Sequence, residues 1–260
     1  MRILCLIPSK ARVARLKAMT GSWLFSSGAD YKIIVEPQDY EAYKKEFTNL
    51  LVVPQDDRGL DFALFHGKAF ALDNGYDVIF KIDDDVSGWV PTYDKRDLHN
   101  NEVQRDDIQR FQIILKDISE PLEHPEIGGI SFGYRFEFWH DKKWLAVNQR
   151  FQTCYVVKTE CFSPDPETGY FGSMWQDFRD FLNVRKFGKN TLRYGRYTMD
   201  TDVASGEGGF EAMYKTRTPE QYKEVIEKFR GEFPLLRWRE KKNGNIEPDM
   251  NSPFIQGKRL

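Results

Sequence analysis

Three consecutive aspartates, Asp83, Asp84 and Asp85, have the types and spacing best suited to binding a metal ion. They follow the apolar segment 77–82, and adjacent carboxylates repel one another unless a cation or solvent screens them. In extended backbone the side chains at i and i+2 point the same way, so Asp83 and Asp85 can face one ligand. Carboxylate oxygens suit Mg²⁺ or Mn²⁺, with phosphates and water as further ligands. A solvated turn of capping aspartates is the alternative, but the position after a buried strand favours a metal.

Polar residues also follow the three earlier apolar segments of the chain. They are Pro8, Ser9, Lys10 and Arg12 after the first segment, Glu36 after the second, and Arg58 after the third. Ser9 could cap a helix that starts there, and the free backbone N–H groups of a helix start favour phosphate. Arg58 could pair with phosphate as well. Helix capping beside a solvated basic flank explains each segment equally well when it is taken alone.

The apolar segments alternate with amphipathic ones. We predict strands at residues 3–7, 31–35, 50–53 and 77–82, with helices at 11–24, 40–47 and 57–72 between them. This order predicts an α/β fold with a mostly parallel sheet flanked by helices. Such sheets bind ligands beyond the carboxyl ends of their strands, where the polar segments and the three aspartates would meet.

The remainder of the chain continues with the same two element types. We predict a loop at residues 87–101, strands at 127–132 and 152–157, and helices at 104–118 and 173–187. A capping box at Thr218 opens a last helix, and a polar, basic tail follows it. The length favours one domain over residues 1–260.

The composition is that of a soluble globular protein, with 40% hydrophobic and 30% charged residues. Because the net charge is −2, binding to a polyanion would need a local basic surface. Cys5, Cys154 and Cys161 fit neither a disulfide framework nor a cysteine metal site. The apolar run near Met1 is too short for a signal peptide, and no apolar run reaches about 20 residues, so we expect a cytoplasmic protein with no membrane partner.

The segments IPSKAR, VEPQDY, LLVVPQDDRGL and YDVIFKIDDDV, in this order, resemble the TET-associated glycosyltransferases. This family, found chiefly in bacteriophages, belongs to the GT-A superfamily. The resemblance covers about the first 90 residues well and continues more weakly to about residue 215. It implies a GT-A-type fold, with a donor-binding half at residues 1–90, an acceptor half at 91–215 and a C-terminal helix and tail at 216–260. The implied nucleotide-sugar contacts are Pro8, Ser9, Lys10, Arg12, Glu36, Arg58, Asp83 and Asp84, and the implied DxD metal ligands are Asp83 and Asp85.

A second feature of the family is an acidic pair, usually Glu-Asp, that opens a helix near the acceptor. The matching residues are Gln176 and Asp177, so only the aspartate remains as the base that would deprotonate an acceptor hydroxyl. A structural alternative is that Asp177 merely stabilises the first helical turn through the helix dipole. Asp180 follows one turn later and could take part, although the sequence favours a place on a solvated helix face. The glycine-rich run at residues 205–209 resembles the loop that closes over the diphosphate, although a simple surface loop explains it equally well.

The implied reaction transfers a sugar from a nucleotide-sugar to a hydroxyl, and we expect the donor to be a UDP-sugar. If Asp177 is the base, the reaction inverts the anomeric configuration. A divalent metal, Mn²⁺ or Mg²⁺, would act as Lewis acid and template. The implied acceptor is a hydroxymethylated pyrimidine of phage DNA, such as 5-hydroxymethylcytosine, and an enzyme would flip such a base out of the stack.

Basic residues near Asp177 could contact DNA phosphates, although a solvated helix face is the commoner reason for such a run. They are Arg179, Arg185, Lys186, Lys189, Arg193 and Arg196, with Lys241, Lys242, Lys258 and Arg259 in the tail. Trp139, Trp144 and Trp175 could stack on a base or a sugar. Two alternatives remain: a GT-A enzyme acting on a glycan, lipid or protein, and a non-catalytic module of this fold that binds DNA or protein.

Overall fold

The computed structural model describes residues 1–92, 105–134, 147–162, 176–201, 218–241 and 246–256. The strands in these ranges are β1 (Ile3–Pro8), β2 (Tyr31–Val35), β3 (Leu50–Val52), β4 (Val78–Lys81), β5 (Val86–Pro91), β6 (Ile127–Tyr134), β7 (Tyr155–Lys158), β8 (Asn190–Thr201), β9 (Trp238–Glu240) and β10 (Ile246–Pro248). The α-helices are α1 (Val13–Ala18), α2 (Thr20–Leu24), α3 (Tyr40–Tyr43), α4 (Leu60–Asp73), α5 (Asp107–Glu123), α6 (Gln176–Lys186), α7 (Pro219–Glu232) and α8 (Pro253–Gln256). No helix of these ranges is both long and apolar enough to cross a membrane.

Eight strands form one sheet in the order β3-β2-β1-β4-β7-β6-β8-β5. The first four are parallel to one another, whereas β7 is antiparallel to both β4 and β6. Strand β8 is parallel to β6, and β5 is antiparallel to β8 at the edge. The carboxyl ends of β1 to β4 therefore meet at one edge of the sheet, as predicted. The α/β architecture with a mostly parallel sheet flanked by helices is confirmed.

Hydrophobic cores lie on both faces of the sheet, because successive side chains of a strand point to opposite faces. On β1, Leu4 and Leu6 belong to the core that also includes residues of α4, α6 and α7. Cys5 and Ile7 belong to the other core, with residues of α1, α2 and α5. At Gly67 of α4 a Cβ atom would lie 2.5 Å from Ile34 Cδ1, so this glycine lets α4 pack closely on the sheet.

The structure differs from the prediction in several places, and strand β8 was not predicted at all. The single helix predicted at residues 11–24 is divided at Met19 into α1 and α2. Residues 86–91, most of which we predicted as loop, form strand β5; Gly88 is needed there because a Cβ would lie 2.6 Å from the Asp107 carboxylate. The tail is not merely polar: β9 pairs with β10, and Ile255 of α8 is fully buried. The predicted capping box at Thr218 is confirmed.

Candidate functional site

The three aspartates occupy the turn between β4 and β5, which Thr20 of α2 holds at both ends. Thr20 Oγ1 donates to the carbonyl of Asp83 (2.6 Å) and accepts from the amide of Val86 (3.0 Å). Trp23 Nε1, one turn later on α2, donates to the Val86 carbonyl at 3.0 Å. Thr20 and Trp23 are both buried, so α2 fixes the backbone of the turn from the core side.

Asp84 is bonded to the segment that follows β1. Its Oδ2 accepts from Ser9 Oγ at 2.6 Å, and its Oδ1 lies 3.2 Å from Arg12 Nη1. Tyr43 Oη accepts from the Arg12 amide at 3.0 Å and lies 2.6 Å from Ser9 Oγ. Asp84 is only 5% exposed, and burial raises the pKa of its carboxyl although Ser9 and Arg12 oppose the shift. Both carboxylate oxygens of Asp84 therefore have partners within the protein.

Ser9 does not cap a helix, contrary to our expectation. Helix α1 begins at Val13 with Arg12 at the N-cap position, and no side chain caps it. Ala11 has φ 54°, so the backbone turns through the left-handed region before the helix starts. The Ser9 hydroxyl is left to bond Asp84 and Tyr43 instead, which ties the end of β1 to the aspartate turn.

Asp85 faces two arginines of the segment 12–18. Its Oδ2 lies 3.4 Å from Arg12 Nη1 and 3.5 Å from Arg15 Nη2. Burial, together with the carboxylates of Asp83 and Asp84, nevertheless raises the pKa of Asp85 to about 6. The net electrostatic environment of Asp85 thus disfavours its negative charge, and a bound cation would relieve that cost.

Lys81, at the end of β4, connects the aspartate turn to helix α6. Its Nζ atom lies 2.6 Å from Asp83 Oδ1 and 3.4 Å from Asp177 Oδ1, and it donates to the carbonyl of Thr153 at 2.7 Å. The side chain is 1% exposed. Burial alone would lower the pKa of Lys81, but the carboxylates of Asp177 and Asp83 raise it above its ordinary value. Lys81 is therefore a buried ammonium shared by two carboxylates.

Asp177 lies in the first turn of α6, as predicted, with its side chain 29% exposed. Burial raises the pKa of its carboxyl, and the neighbouring Lys81 opposes that shift. A carboxylate that is partly exposed and whose pKa is raised has the access and the basicity to accept a proton. The structure thus brings Asp83 and Asp177, which are far apart in sequence, to the same lysine.

A buried polar cluster beneath Asp177 explains the glutamine that precedes it. Gln176 Nε2 donates to Tyr155 Oη at 2.7 Å and to Asp180 Oδ2 at 2.5 Å. Lys68 of α4 donates to both carboxylate oxygens of Asp180 at 2.7 and 2.8 Å, and Tyr155 also donates to Asp180. A glutamate at position 176 would have no proton to donate and would add a second carboxylate beside Asp180. Asp180 is 4% exposed, so our assignment of it to a solvated face was wrong.

The ends of β2 and β3 form a second group of charged side chains around Lys10. Lys10 Nζ lies 2.7 Å from Glu36 Oε2 and also pairs with Asp57. Glu36 is 3% exposed, and its carboxylate also accepts from the Gln38 side chain and from the Asp57 amide. Pro8, the last residue of β1, is buried and lies opposite Ile34 of β2. Arg58 is exposed, donates to Gln55 and lies over the Phe62 ring at 5.2 Å.

Asp83 and Asp85 fit a divalent cation better than Asp84 does. Their side chains are 31% and 19% exposed, and carboxylate oxygens are the hard donors that Mg²⁺ and Mn²⁺ prefer. Within the ranges that the structure describes, no group of three or more His, Cys, Asp or Glu side chains is arranged to hold a metal. Two carboxylates completed by phosphate and water would meet the octahedral preference of these ions.

Most of the described basic residues near Asp177 are engaged within the protein. Arg179 pairs with Glu232 at 3.0 Å, Lys189 with Glu160 at 2.7 Å and Arg196 with Asp117 at 3.0 Å. Arg185 is buried and bonds Asn148 and Asn190. These side chains do not form the open basic stripe that we considered. Residues 202–209, Trp139, Trp144, Trp175, Lys242, Lys258 and Arg259 lie outside the described residues.

Sequence reasoning missed three residues of the site. They are Lys81, which links Asp83 to Asp177; Arg15, which faces Asp85; and Thr20, which holds the turn. Lys81 did leave a signal, because a lysine inside the apolar strand 77–82 must find buried partners for its charge. Arg15 and Thr20 left none, since arginine and threonine are ordinary on an amphipathic helix.

Comparison with known proteins identifies the family. Residues 4–210 match the family model described as TET-Associated Glycosyltransferase.

Among solved structures, the chain is similar to glucosyl-3-phosphoglycerate synthase from Mycobacterium tuberculosis, which was solved with Mn²⁺, UDP and phosphoglyceric acid. The match covers 95% of this chain and 86% of the synthase, with 10% sequence identity and a TM-score of 0.49. UDP-glucose pyrophosphorylase with UDP-glucose matches over 84% of this chain and 100% of its own, with 13% identity and a TM-score of 0.46. A comparison with curated proteins found no similar sequence. Because the family model spans most of the chain, the protein belongs to the TET-associated glycosyltransferases and is a glycosyltransferase.

Proposed function

We propose that this glycosyltransferase moves a sugar from a nucleotide-sugar to a hydroxyl of a hydroxymethylated pyrimidine, such as 5-hydroxymethylcytosine, in DNA. The observation that carries the proposed site is the shared lysine: Lys81 Nζ lies within 3.4 Å of both Asp83 and Asp177. A carboxylate suited to the donor side and one suited to the acceptor side are therefore neighbours. Group transfer needs this arrangement, since the acceptor must attack the carbon that the diphosphate leaves.

On the donor side, Asp83 and Asp85 would hold a divalent cation. When bound, such a cation supplies a Lewis acid that offsets the charge developing on the departing diphosphate. Positive charge at the same end of the sheet would come from Lys10, Arg12 and Arg58.

We expect the nucleoside of a UDP-sugar at the ends of the first two strands, which are lined by Glu36, Ser9 and Pro8. Asp84, with both oxygens bonded to Ser9 and Arg12, would act indirectly by holding these two residues.

On the acceptor side, Asp177 would take the proton of the attacking hydroxyl. The acceptor oxygen forms a bond to the anomeric carbon while the bond from that carbon to the diphosphate oxygen breaks. The proton passes to Asp177, and the nucleoside diphosphate leaves with the electron pair. Attack opposite the leaving group inverts the anomeric configuration. The raised pKa of Asp177 supports this role, because it makes the carboxylate a better proton acceptor.

The DNA acceptor is supported by the family, whose name associates it with TET enzymes. The paired arginines and lysines near Asp177 add no separate support, so an acceptor in a glycan, lipid or protein remains the second candidate. The non-catalytic alternative falls away with membership of an enzyme family. A flipped base would have to approach Asp177 from its exposed side.

The test is to incubate the protein with Mn²⁺, a panel of nucleotide-sugars and DNA that contains 5-hydroxymethylcytosine, and to weigh the digested nucleosides by mass spectrometry. We expect one nucleoside to gain the mass of a sugar, only with metal present and only from one class of donor. The same DNA with unmodified cytosine is the control acceptor. Metal-dependent release of UDP without any modified nucleoside would overturn the DNA acceptor but keep the donor site.

A further inference from the structure

We propose that Lys81 is a positioning residue that aims Asp177 at a donor held by Asp83. This inference rests on the roles proposed above for Asp83 and Asp177, and it adds a residue to which neither the sequence nor the family resemblance assigned a function. In this view the lysine does not touch either substrate. It acts by holding one acceptor-side and one donor-side carboxylate on the same nitrogen atom.

The surroundings of Lys81 leave its ammonium little freedom. The three acceptors around Nζ, Asp83, Asp177 and the Thr153 carbonyl, match the three N–H bonds of a lysine. The backbone of Lys81 is paired with Leu6 of β1 on one side and with Tyr155 of β7 on the other. Because the side chain is 1% exposed, water cannot replace these partners. The pairing with β1 and β7 thus holds Lys81 in place. Its Nζ atom in turn holds the carboxylates of Asp83 and Asp177.

This arrangement has a specific consequence on the donor side. The Lys81 ammonium lies 2.6 Å from Asp83, so it opposes a second cation at that carboxylate. A lysine whose purpose was to build the metal site would be misplaced, because it weakens the site electrostatically. A lysine that holds Asp177 near the donor, in contrast, has to contact both Asp83 and Asp177, as Lys81 does.

The experiment compares Lys81→Met, Asp177→Asn and the double variant with the wild-type protein. Transfer is measured in single turnover, and Mn²⁺ affinity is measured separately by electron paramagnetic resonance of the protein without donor. We expect Lys81→Met to slow transfer about 10- to 100-fold, since a misplaced catalytic group costs about that much. We expect Mn²⁺ to bind Lys81→Met at least as tightly as the wild type, because the competing ammonium is gone.

The double variant separates positioning from a general structural role. If Lys81 acts through Asp177, adding Lys81→Met to Asp177→Asn should slow transfer no further than about twofold. The double variant also avoids two unneutralised carboxylates around the vacated site, which protects the test if Lys81→Met alone folds poorly. Lys158→Met is the matched control. Lys158 lies at the end of β7 that is remote from Lys81, opposite Val78 at the start of β4. Its side chain is 12% exposed and donates to the His124 carbonyl. Its transfer rate should stay near that of the wild type.

Several outcomes would overturn the proposal. Transfer by Lys81→Met at the wild-type rate would show that Asp177 needs no such support. Loss of Mn²⁺ binding together with transfer, or additive losses in the double variant, would show a structural role only. If Asp177→Asn itself transfers at the wild-type rate, the proposed function of Asp177 has failed, and the inference about Lys81 fails with it. In that case Mn²⁺ binding still reports on the donor side independently.

Discussion

At the scale of residues, the aspartate turn is held in an electrostatically unfavourable arrangement. Three carboxylates follow one another at the edge of the core, and the two arginines beside Asp85 do not fully offset the cost of its charge. Sites that must bind a cation accept such a cost in the free protein, because the ligand later removes it. Functional sites are where stability is commonly traded for activity.

The variant Asp85→Asn should therefore stabilise the metal-free protein. A pKa raised from 3.8 to about 6 means that the charged carboxylate destabilises the folded state by up to about 3 kcal/mol at neutral pH. Because the folded-state pKa is raised, this cost is full above pH 6 and shrinks as the pH falls toward 4. Urea unfolding of both proteins at pH 7.5 and near pH 4.5, in a chelator, measures the difference. A less stable variant at pH 7.5 would contradict the account.

The residues themselves were only partly predictable from sequence. Asp83 and Asp85 were proposed as metal ligands from type and position, because carboxylates directly after a buried strand are recognisable, whereas Asp177 was proposed only through the family resemblance. Ser9 was assigned the wrong partner, since hydroxyl bonding to Tyr43 and Asp84 depends on long-range contacts. Gln176 became intelligible only with the buried Asp180 beside it.

At the scale of elements, α2 is the support on which the aspartate turn rests. The Thr20 hydroxyl bonds backbone groups at both ends of the turn, and Thr20 is fully buried. The short helix exists as a separate element because the chain bends at Met19, where ψ is −100°. Periodicity alone predicted one helix here, since the apolar spacing continues through the bend.

Replacing Thr20 with valine should loosen the turn without changing the volume of the side chain much. The Val86 amide would lose its partner in a buried position, and we expect a loss of about 1–3 kcal/mol in the free energy of unfolding. Mn²⁺ affinity should fall as well, because Asp83 and Asp85 flank the loosened backbone. Urea unfolding and Mn²⁺ titration measure the two effects.

Thr159→Val is the matched control for this change. The Thr159 hydroxyl also donates to backbone carbonyls, those of Tyr76 and Asp77, but at the opposite end of β4. The Thr159→Val variant should lower the free energy of unfolding by a similar amount while leaving Mn²⁺ affinity unchanged. Equal loss of Mn²⁺ affinity in both variants would argue against a local role for Thr20.

At the scale of the whole molecule, the site lies where the sheet changes direction. Strands β1 to β4 are parallel and bring the proposed donor-side residues to one end of the sheet, whereas β7 runs antiparallel beside β4. The parallel half was predictable from the alternation of strands and helices. The other half, which mixes parallel and antiparallel pairs, was less predictable, because β5 contains Gly88 and Pro91, which resemble loop residues, and pairs with distant β8.

The central claim is that Asp177 completes a site whose donor half is formed by the parallel strands. The most direct measurement is the single-turnover rate of transfer to 5-hydroxymethylcytosine DNA by Asp177→Asn, together with its affinity for UDP in the presence of Mn²⁺. The account predicts that transfer falls about 100- to 10,000-fold while UDP affinity stays within about twofold of the wild type, because the variant removes only the proton acceptor. Transfer near the wild-type rate, or loss of UDP binding along with transfer, would contradict it.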